Sequence, residues 1–446
     1  MATIIDSPYY GDAFTNAEVR EVFSDGQRFT SWLEVEAALA RAEALVGLIP
    51  ESAAEGITAA ARFENLEPDA MREHYRRVGF PIVPLVKQLS AACDPEVARF
   101  VHWGATTQDI VDTGLVLQMR TALKPIESDL DAIISSLAGL AVEHRDTVMA
   151  GRTFQQQAAP ITFGFKVAVW LDELLRHRER LPAIKRRALV CQFGGAVGTL
   201  ATLGDDGLRV LKALSRELDL EEPPISWHTA RDGWTELVFW LAMVGTTLRK
   251  IAEEVAMLMR TEVSEVREPF EEGRGGSSTM PQKRNPIACP IIIALGKCLK
   301  ETVSCQMEAM VQDHERAVAS QPLEWLTIPD AFVLLSGSLL QSREMLGGLQ
   351  VDVESMERNL QIGNGLLMAE AVMMGLAPIV GRGEAHEIVT VAASRAIEEN
   401  LTLKQALLED EQVSGRLSES ELDGLLSPAN YLGVAGAMID RVLSRV

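Results

Sequence analysis

Past the middle of the chain, Gly273-Arg274-Gly275-Gly276-Ser277-Ser278-Thr279-Met280-Pro281-Gln282-Lys283-Arg284-Asn285-Pro286 gathers residue types that hold an anion. Three glycines and two serines make a loop whose backbone amides can come close to a negative group. Lys283 and Arg284 bring positive charge, and Asn285-Pro286 starts the helix that follows. A glycine-serine loop with no more than this pattern can equally be a plain connection. Earlier in the chain, Thr106, Thr107 and Gln108 set two hydroxyls beside an amide, a group suited to hydrogen-bonding a carboxylate. Thr107 or Asp109 can equally serve as a helix N-cap. His102 and His228 are the histidines available to move a proton near neutral pH. His74, His144, His177 and His386 lie outside any motif and read as structural.

Taken whole, the loop string resembles the signature of the fumarase/aspartase superfamily, GSSxMPxKxNP, and matches it at every fixed position. Two more regions follow the family order. His102-Trp103-Gly104-Ala105-Thr106-Thr107-Gln108-Asp109-Ile110-Val111-Asp112-Thr113 resembles HxGATSxDxxDT, found in the branch of adenylosuccinate lyase and 3-carboxy-cis,cis-muconate cycloisomerase. Gly151-Arg152-Thr153-Phe154-Gln155-Gln156-Gln157-Ala158 is similar to GRTHxQxA, with Thr153 and Gln156 matching. Phe154 stands where many relatives have a histidine that protonates the leaving group. Gln157 stands where the cycloisomerases often have one.

The resemblance implies one chemistry: removal of a weakly acidic proton beside a carboxylate, followed by expulsion of a β-substituent. The aci-carboxylate formed on the way carries doubled negative charge and needs fixed cations and amide donors. Thr106, Thr107, Gln108, Thr153, Gln156, Ser278, Met280, Lys283 and Asn285 are the substrate-binding residues it implies. Ser277 is then the base, ionised in that electropositive pocket and delivered as the loop closes. His102 or His228 protonates what leaves.

Trp227-His228-Thr229-Ala230-Arg231-Asp232 resembles a stretch near bound substrate, which adds Arg231 to the expected ligands. Asp313-His314-Glu315-Arg316, with Pro329-Asp330 after it, resembles the HER…LPD region, where Arg316 is a carboxylate ligand or a salt-bridge partner. Spacing places Trp325 where adenylosuccinate lyases have a phosphate-binding arginine. Gly79-Phe80-Pro81-Ile82-Val83-Pro84-Leu85 lacks their phosphate-binding HD pair, so authentic adenylosuccinate lyase is disfavoured.

The elements that must position these residues are helical. At 446 residues the chain is too long for one core. Aromatics are 5%, and the abundance of Ala, Leu, Val, Met and Glu favours helix. In Phe29–Leu48, Trp32, Leu33, Val35, Ala38, Leu39, Ala42 and Leu45 share one side, with Glu34, Glu36 and Arg41 outside. Leu115–His144, Pro160–Leu189, Thr235–Arg267 and Asn285–His314 are four longer periodic stretches. The expected architecture is all-α with three domains: 1–105, a central long-helix bundle 106–350, and 351–446. Thr235–Arg267 is apolar on more than one stripe, which calls for burial against other subunits. The resemblance implies a homotetramer whose active sites are shared between chains.

A net charge of −21 repels phosphate backbones and anionic lipid, so neither nucleic acid nor membrane is an expected partner. The expected partner is a small dicarboxylate or tricarboxylate. No apolar stretch reads as membrane-spanning, no signal peptide is visible, and the five cysteines are scattered without a CxxC pair. These features predict a cytoplasmic enzyme with no metal and no cofactor. The favoured reaction is C–N cleavage of an N-substituted aspartate or succinyl substrate with release of fumarate. The alternative is 3-carboxy-cis,cis-muconate cycloisomerase, which adds a carboxylate across a double bond. A third reading, a catalytically silent structural relative, is opposed by the retention of Ser277, Lys283 and Asn285.

Overall fold

The structure is a computed structural model that describes residues 3–269, Gly276, Met280 and 283–446. Ser24 caps helix α1 (Asp25–Val46) by accepting the N–H of Gln27, Asp25 sits in its first turn, and Gly47, at φ 89°, ends it. Trp32, Leu33, Val35, Ala38, Leu39 and Ala42 are buried, as their spacing predicts. Two positions depart from the pattern: Leu45 is 77% exposed, and Glu36, expected outside, is buried. A shorter helix, α2 (Pro68–Val78), follows with Pro at its first turn.

Five long helices come next: α3 (Thr107–Glu143), α4 (Phe163–Ala188), α5 (Asp232–Leu258), α6 (Ala288–Ala309) and α7 (Ser320–Gly347). The first four answer to the four periodic stretches. Helix α5 stops short of Arg267 because the chain turns at Arg260–Ser264, where Ser264 has φ 53°. Val266-Arg267 (β3) then pairs antiparallel with Gln350-Val351 (β4). Helix α7 is a fifth that lies outside the four periodic stretches, and like α3 and α4 it carries a proline, Pro329, in its interior. By length and composition α7 could cross a membrane, contrary to the sequence reading, but most of its apolar window is buried inside the protein and it carries the buried Glu324.

Helix makes up 68% of the chain and strand 5%, so the all-α class holds. The main strands form a hairpin, β1 (Val148–Thr153) and β2 (Gln156–Thr162), antiparallel with Thr153 opposite Gln156 and a register shift at Gly151/Arg152. The chain divides into two compact units. The first comprises 1–130, 177–249 and 291–341, and the second 131–176, 250–290 and 342–446. Every cut falls inside one of the five long helices, all of which lie within 106–350. The first unit has a core built on Trp32, Leu39, Ile57, Leu85, Val111, Phe193 and Leu214. In the second, a C-terminal core gathers Val372, Leu376, Ile388, Leu403 and Leu407.

Candidate active site

In the first unit the start of α3 is fixed by a single carboxylate. Asp109 Oδ2 accepts the N–H of Thr106 at 2.9 Å, the half of a capping box in which the third helical residue reaches back, so the N-cap position falls to Thr106 and to neither Thr107 nor Asp109. The same carboxylate accepts the N–H groups of Gly194 and Gly195, each at 2.9 Å, and His228 Nε2 at 2.7 Å. The carboxylate can only accept, so His228 carries its proton on Nε2 and turns Nδ1 to Ser226 Oγ at 3.3 Å. A Cβ at Gly194 would lie 2.6 Å from Ser226 Oγ and 3.0 Å from His228 Cε1, so only glycine permits this approach.

Gln108 bridges this centre to its surroundings. Its Nε2 donates to Asp112 at 3.1 Å and to the His228 carbonyl at 2.9 Å, while its Oε1 accepts from Arg316 Nε at 2.8 Å. Arg316 is exposed, and it reaches the site through Gln108. Arg231, expected as a substrate ligand, is placed otherwise. Its guanidinium is wholly buried, bonded to Asp112 at 2.7 and 3.2 Å and to Glu324 at 2.8 and 2.7 Å. It also lies 4.0 Å from the Trp234 ring centre and 4.9 Å from that of Trp227. Burial opposes its charge, but Asp112 and Glu324 outweigh that and push its pKa up. Arg231 therefore braces the site from behind.

His102 occupies a left-handed backbone position, φ 61°, and its Nδ1 lies 2.6 Å from Glu36 Oε1. Burial lowers the imidazole's pKa, and the charge and hydrogen bond of Glu36, helped by Asp109, raise it by more. This ion pair makes His102 the better furnished of the two candidate proton donors. Glu36 Oε2 and both carboxyl oxygens of Glu43, two turns further along α1, are buried without a hydrogen-bond partner among the described residues. Burial, and then the charge of Glu36, push Glu43 up to about 9.

The second unit holds the other expected residues. Phe154 and Gln155 form a two-residue hairpin loop, both at positive φ (48° and 65°) though neither is glycine. Thr153, Phe154, Gln155 and Gln156 are all exposed, Phe154 completely. The hairpin base is firm: Arg152 pairs with the buried Glu265 through two bonds of 2.7 and 2.9 Å, and Asn359 Nδ2 donates to the same carboxylate at 2.8 Å. Of the signature loop, Met280 and Lys283 are exposed, Asn285 is partly buried, and Gly276 bridges to Arg284. Ser277 and Ser278 lie outside the described residues. Glu268, just before the loop, accepts the N–H groups of Ile287, Ala288 and Cys289 at 2.8, 3.0 and 2.9 Å, holding the start of α6.

Thus Thr106, Thr107, Gln108, His102, His228 and Arg316 belong to one unit, and Thr153, Gln156, Met280, Lys283 and Asn285 to the other. The supporting acids Glu36, Asp112, Glu265, Glu268 and Glu324 were missed as such. Asp112 alone carried a signal, lying within a quoted motif.

These helices and motif-bearing turns define a class of lyase. Residues 13–299 match the family described as Lyase, and 365–442 match Adenylosuccinate lyase C-terminus. The chain belongs to this lyase family, the fumarase/aspartase superfamily, and is an enzyme of it. It is 46% identical to a 3-carboxy-cis,cis-muconate cycloisomerase of Pseudomonas aeruginosa, over 100% of this chain and 97% of that one. It is 38% identical to an N-acetyl-S-(2-succino)cysteine lyase of Dickeya dadantii, over 99% and 97%. The crystal structure of 3-carboxy-cis,cis-muconate lactonizing enzyme from Pseudomonas putida superposes with a TM-score of 0.93 at 44% identity, covering 97% of this chain and 98% of that one.

Proposed function

We propose that this enzyme adds a substrate carboxylate across a carbon–carbon double bond of an unsaturated tricarboxylate, the cycloisomerase reaction. The observation that carries this is the hairpin tip, Thr153-Phe154-Gln155-Gln156, which offers no group able to give up a proton near neutral pH. Run backwards, the reaction expels a carboxylate, which leaves as a stable anion and needs no proton; an amine does need one. The names of the cycloisomerase relatives support the same choice, reversing the preference for C–N cleavage drawn from sequence.

In the forward direction a carboxylate oxygen forms the new C–O bond. The π electrons move to the neighbouring carbon as an aci-carboxylate, and that carbon takes a proton from the Ser277 hydroxyl. Lys283, Asn285, Thr106, Thr107, Thr153 and Gln156 stabilise the charge. His228 and Asp109, with Gln108 bonded to Asp112 and to the His228 carbonyl, hold the Thr106–Thr107 segment in place.

A second reading, β-elimination from an N-substituted aspartate or succinyl substrate with release of fumarate, is favoured by the His102–Glu36 pair, which supplies a proton donor for a poorer leaving group. Incubation with 3-carboxy-cis,cis-muconate and with a panel of N-substituted aspartates decides between them. Loss of diene absorbance supports the first. Fumarate from the panel with the diene untouched overturns it.

We also propose a three-domain subunit in a homotetramer with shared sites, and a cytoplasmic location. Support for assembly comes from apolar residues left exposed on the long helices, among them Val169, Phe239, Met307 and Leu326. The five free cysteines support a reducing compartment.

A further inference from the structure

In the second unit, Thr153 follows Arg152 directly, and Asn285 stands two residues before Ile287. Arg152 and the N–H of Ile287 are each held by a buried acid, Glu265 for the first and Glu268 for the second. These two acids are only three residues apart, about 10 Å of extended chain.

The stretch that carries them is itself fixed on every side. The Glu265 N–H donates to the Leu258 carbonyl at 3.0 Å, and the Glu265 carbonyl accepts the N–H of Asp352 at 2.9 Å. Val266 and Arg267, between the acids, are the two residues of β3 and pair with Val351 and Gln350. Asn359, on helix α8 (Val353–Leu360), donates to the Val263 carbonyl at 2.7 Å as well as to Glu265. The hairpin's second strand joins the same residue, because Gln157 Nε2 donates to the Asn359 carbonyl at 2.8 Å. Gln157 is thereby spent on holding the hairpin. Both oxygens of Glu265 receive a guanidinium N–H, the short and directional kind of bond that leaves little play. No flexible connection intervenes between one grip and the other.

We infer that Glu265 and Glu268 are positioning residues that act as one brace, setting Thr153 and Gln156 of the hairpin against Lys283 and Asn285. The inference rests on the reading that these four residues stabilise the aci-carboxylate. Such donors are effective only when already in place, and a displacement of about 1 Å can cost a hundredfold in rate. Neither acid needs to meet the substrate to have that effect.

Hydrogen exchange of the assembled enzyme, read by mass spectrometry, tests the brace. Glu265→Gln should speed exchange at 287–289, and Glu268→Gln should speed it along 148–162, each by about threefold or more, the scale of coupled neighbours. These are the segments that each acid does not itself hold. Turnover of 3-carboxy-cis,cis-muconate, or of the N-substituted aspartate that yields fumarate, is the second readout. Each variant should lower the kcat of folded enzyme by about thirtyfold to a hundredfold. The double variant should stay within about threefold of the slower single one, whereas independent supports would multiply. A merely structural role lowers the denaturation midpoint and leaves the kcat of folded enzyme unchanged. Arg152→Lys, which keeps the charge and loses the two-pronged grip, takes the place of Glu265→Gln if that variant does not fold. Faster exchange confined in each variant to its own partner overturns the brace. So does a kcat within about threefold of the parent in both variants, or a double variant whose loss is the product of the two. If the parent turns over neither substrate, the reading of the reaction falls, and the exchange result alone decides the brace.

Discussion

His228 Nε2 lies 2.7 Å from Asp109 Oδ1, and the same buried carboxylate collects the N–H groups of Thr106, Gly194 and Gly195. One side chain thereby ties the start of α3, a glycine turn and a histidine from another segment. Asp109→Asn keeps the size but turns an NH₂ group towards N–H donors. Buried donors left unmatched cost about 1–3 kcal/mol each, so a loss of about 2–5 kcal/mol is expected in chemical denaturation. A change below about 0.5 kcal/mol, the range of ordinary surface substitutions, contradicts this account.

Ser277→Ala tests the catalytic assignment. If Ser277 moves the proton at carbon, kcat should drop by about a thousandfold or more while KM stays nearly unchanged. Activity within about tenfold of the parent takes Ser277 out of that role.

Glu43 predicts how stability varies with pH. Its carboxyl is pushed from the ordinary 4.5 to about 9 in the folded protein. The folded chain therefore keeps a proton that the unfolded chain releases. The contribution is fully present below pH 4.5 and is lost progressively as pH rises to about 9, at up to about 1.4 kcal/mol per pH unit. Glu43→Gln should flatten the fall in Tm across this window and raise Tm at its alkaline end. A parallel Tm profile in parent and variant is the contrary result.

Site sharing is tested by mixing. Ser277→Ala and Thr153→Ala are each expected to be inactive, and reassembly of the two as mixed tetramers should restore part of the activity. Some sites in the mixture would draw both segments from unmutated copies. Proven hybrids without activity exclude sharing of these two segments.

Much of the frame was legible because helices announce themselves by spacing. The inward set of α1 and the four long periodic stretches follow from apolar residues recurring each turn. Glu36 and Arg231 were misplaced for a common reason. A charged residue reads as exposed or ligand-binding unless its partner is known, and the partners, His102 for one and Asp112 and Glu324 for the other, come from distant parts of the chain. The hairpin at Thr153–Gln156 was read as a motif without its strands, since its tip has neither glycine nor asparagine to mark a turn with two positive φ angles. Family chemistry was legible in the signature string, whereas the choice of reaction turned on what replaces one histidine.

Glu268 has a consequence for the chain on either side of the signature. By accepting three N–H groups at residues 287–289, it clips together the two ends of the segment 269–286, like a drawstring at the neck of a bag. Closing a loop already pinned at its base depends only weakly on length, with each doubling costing about 0.6 kcal/mol. Insertions and deletions within the segment are therefore tolerable to the helix behind it. The place of α6 is thus decided by Glu268 and not by the residues between.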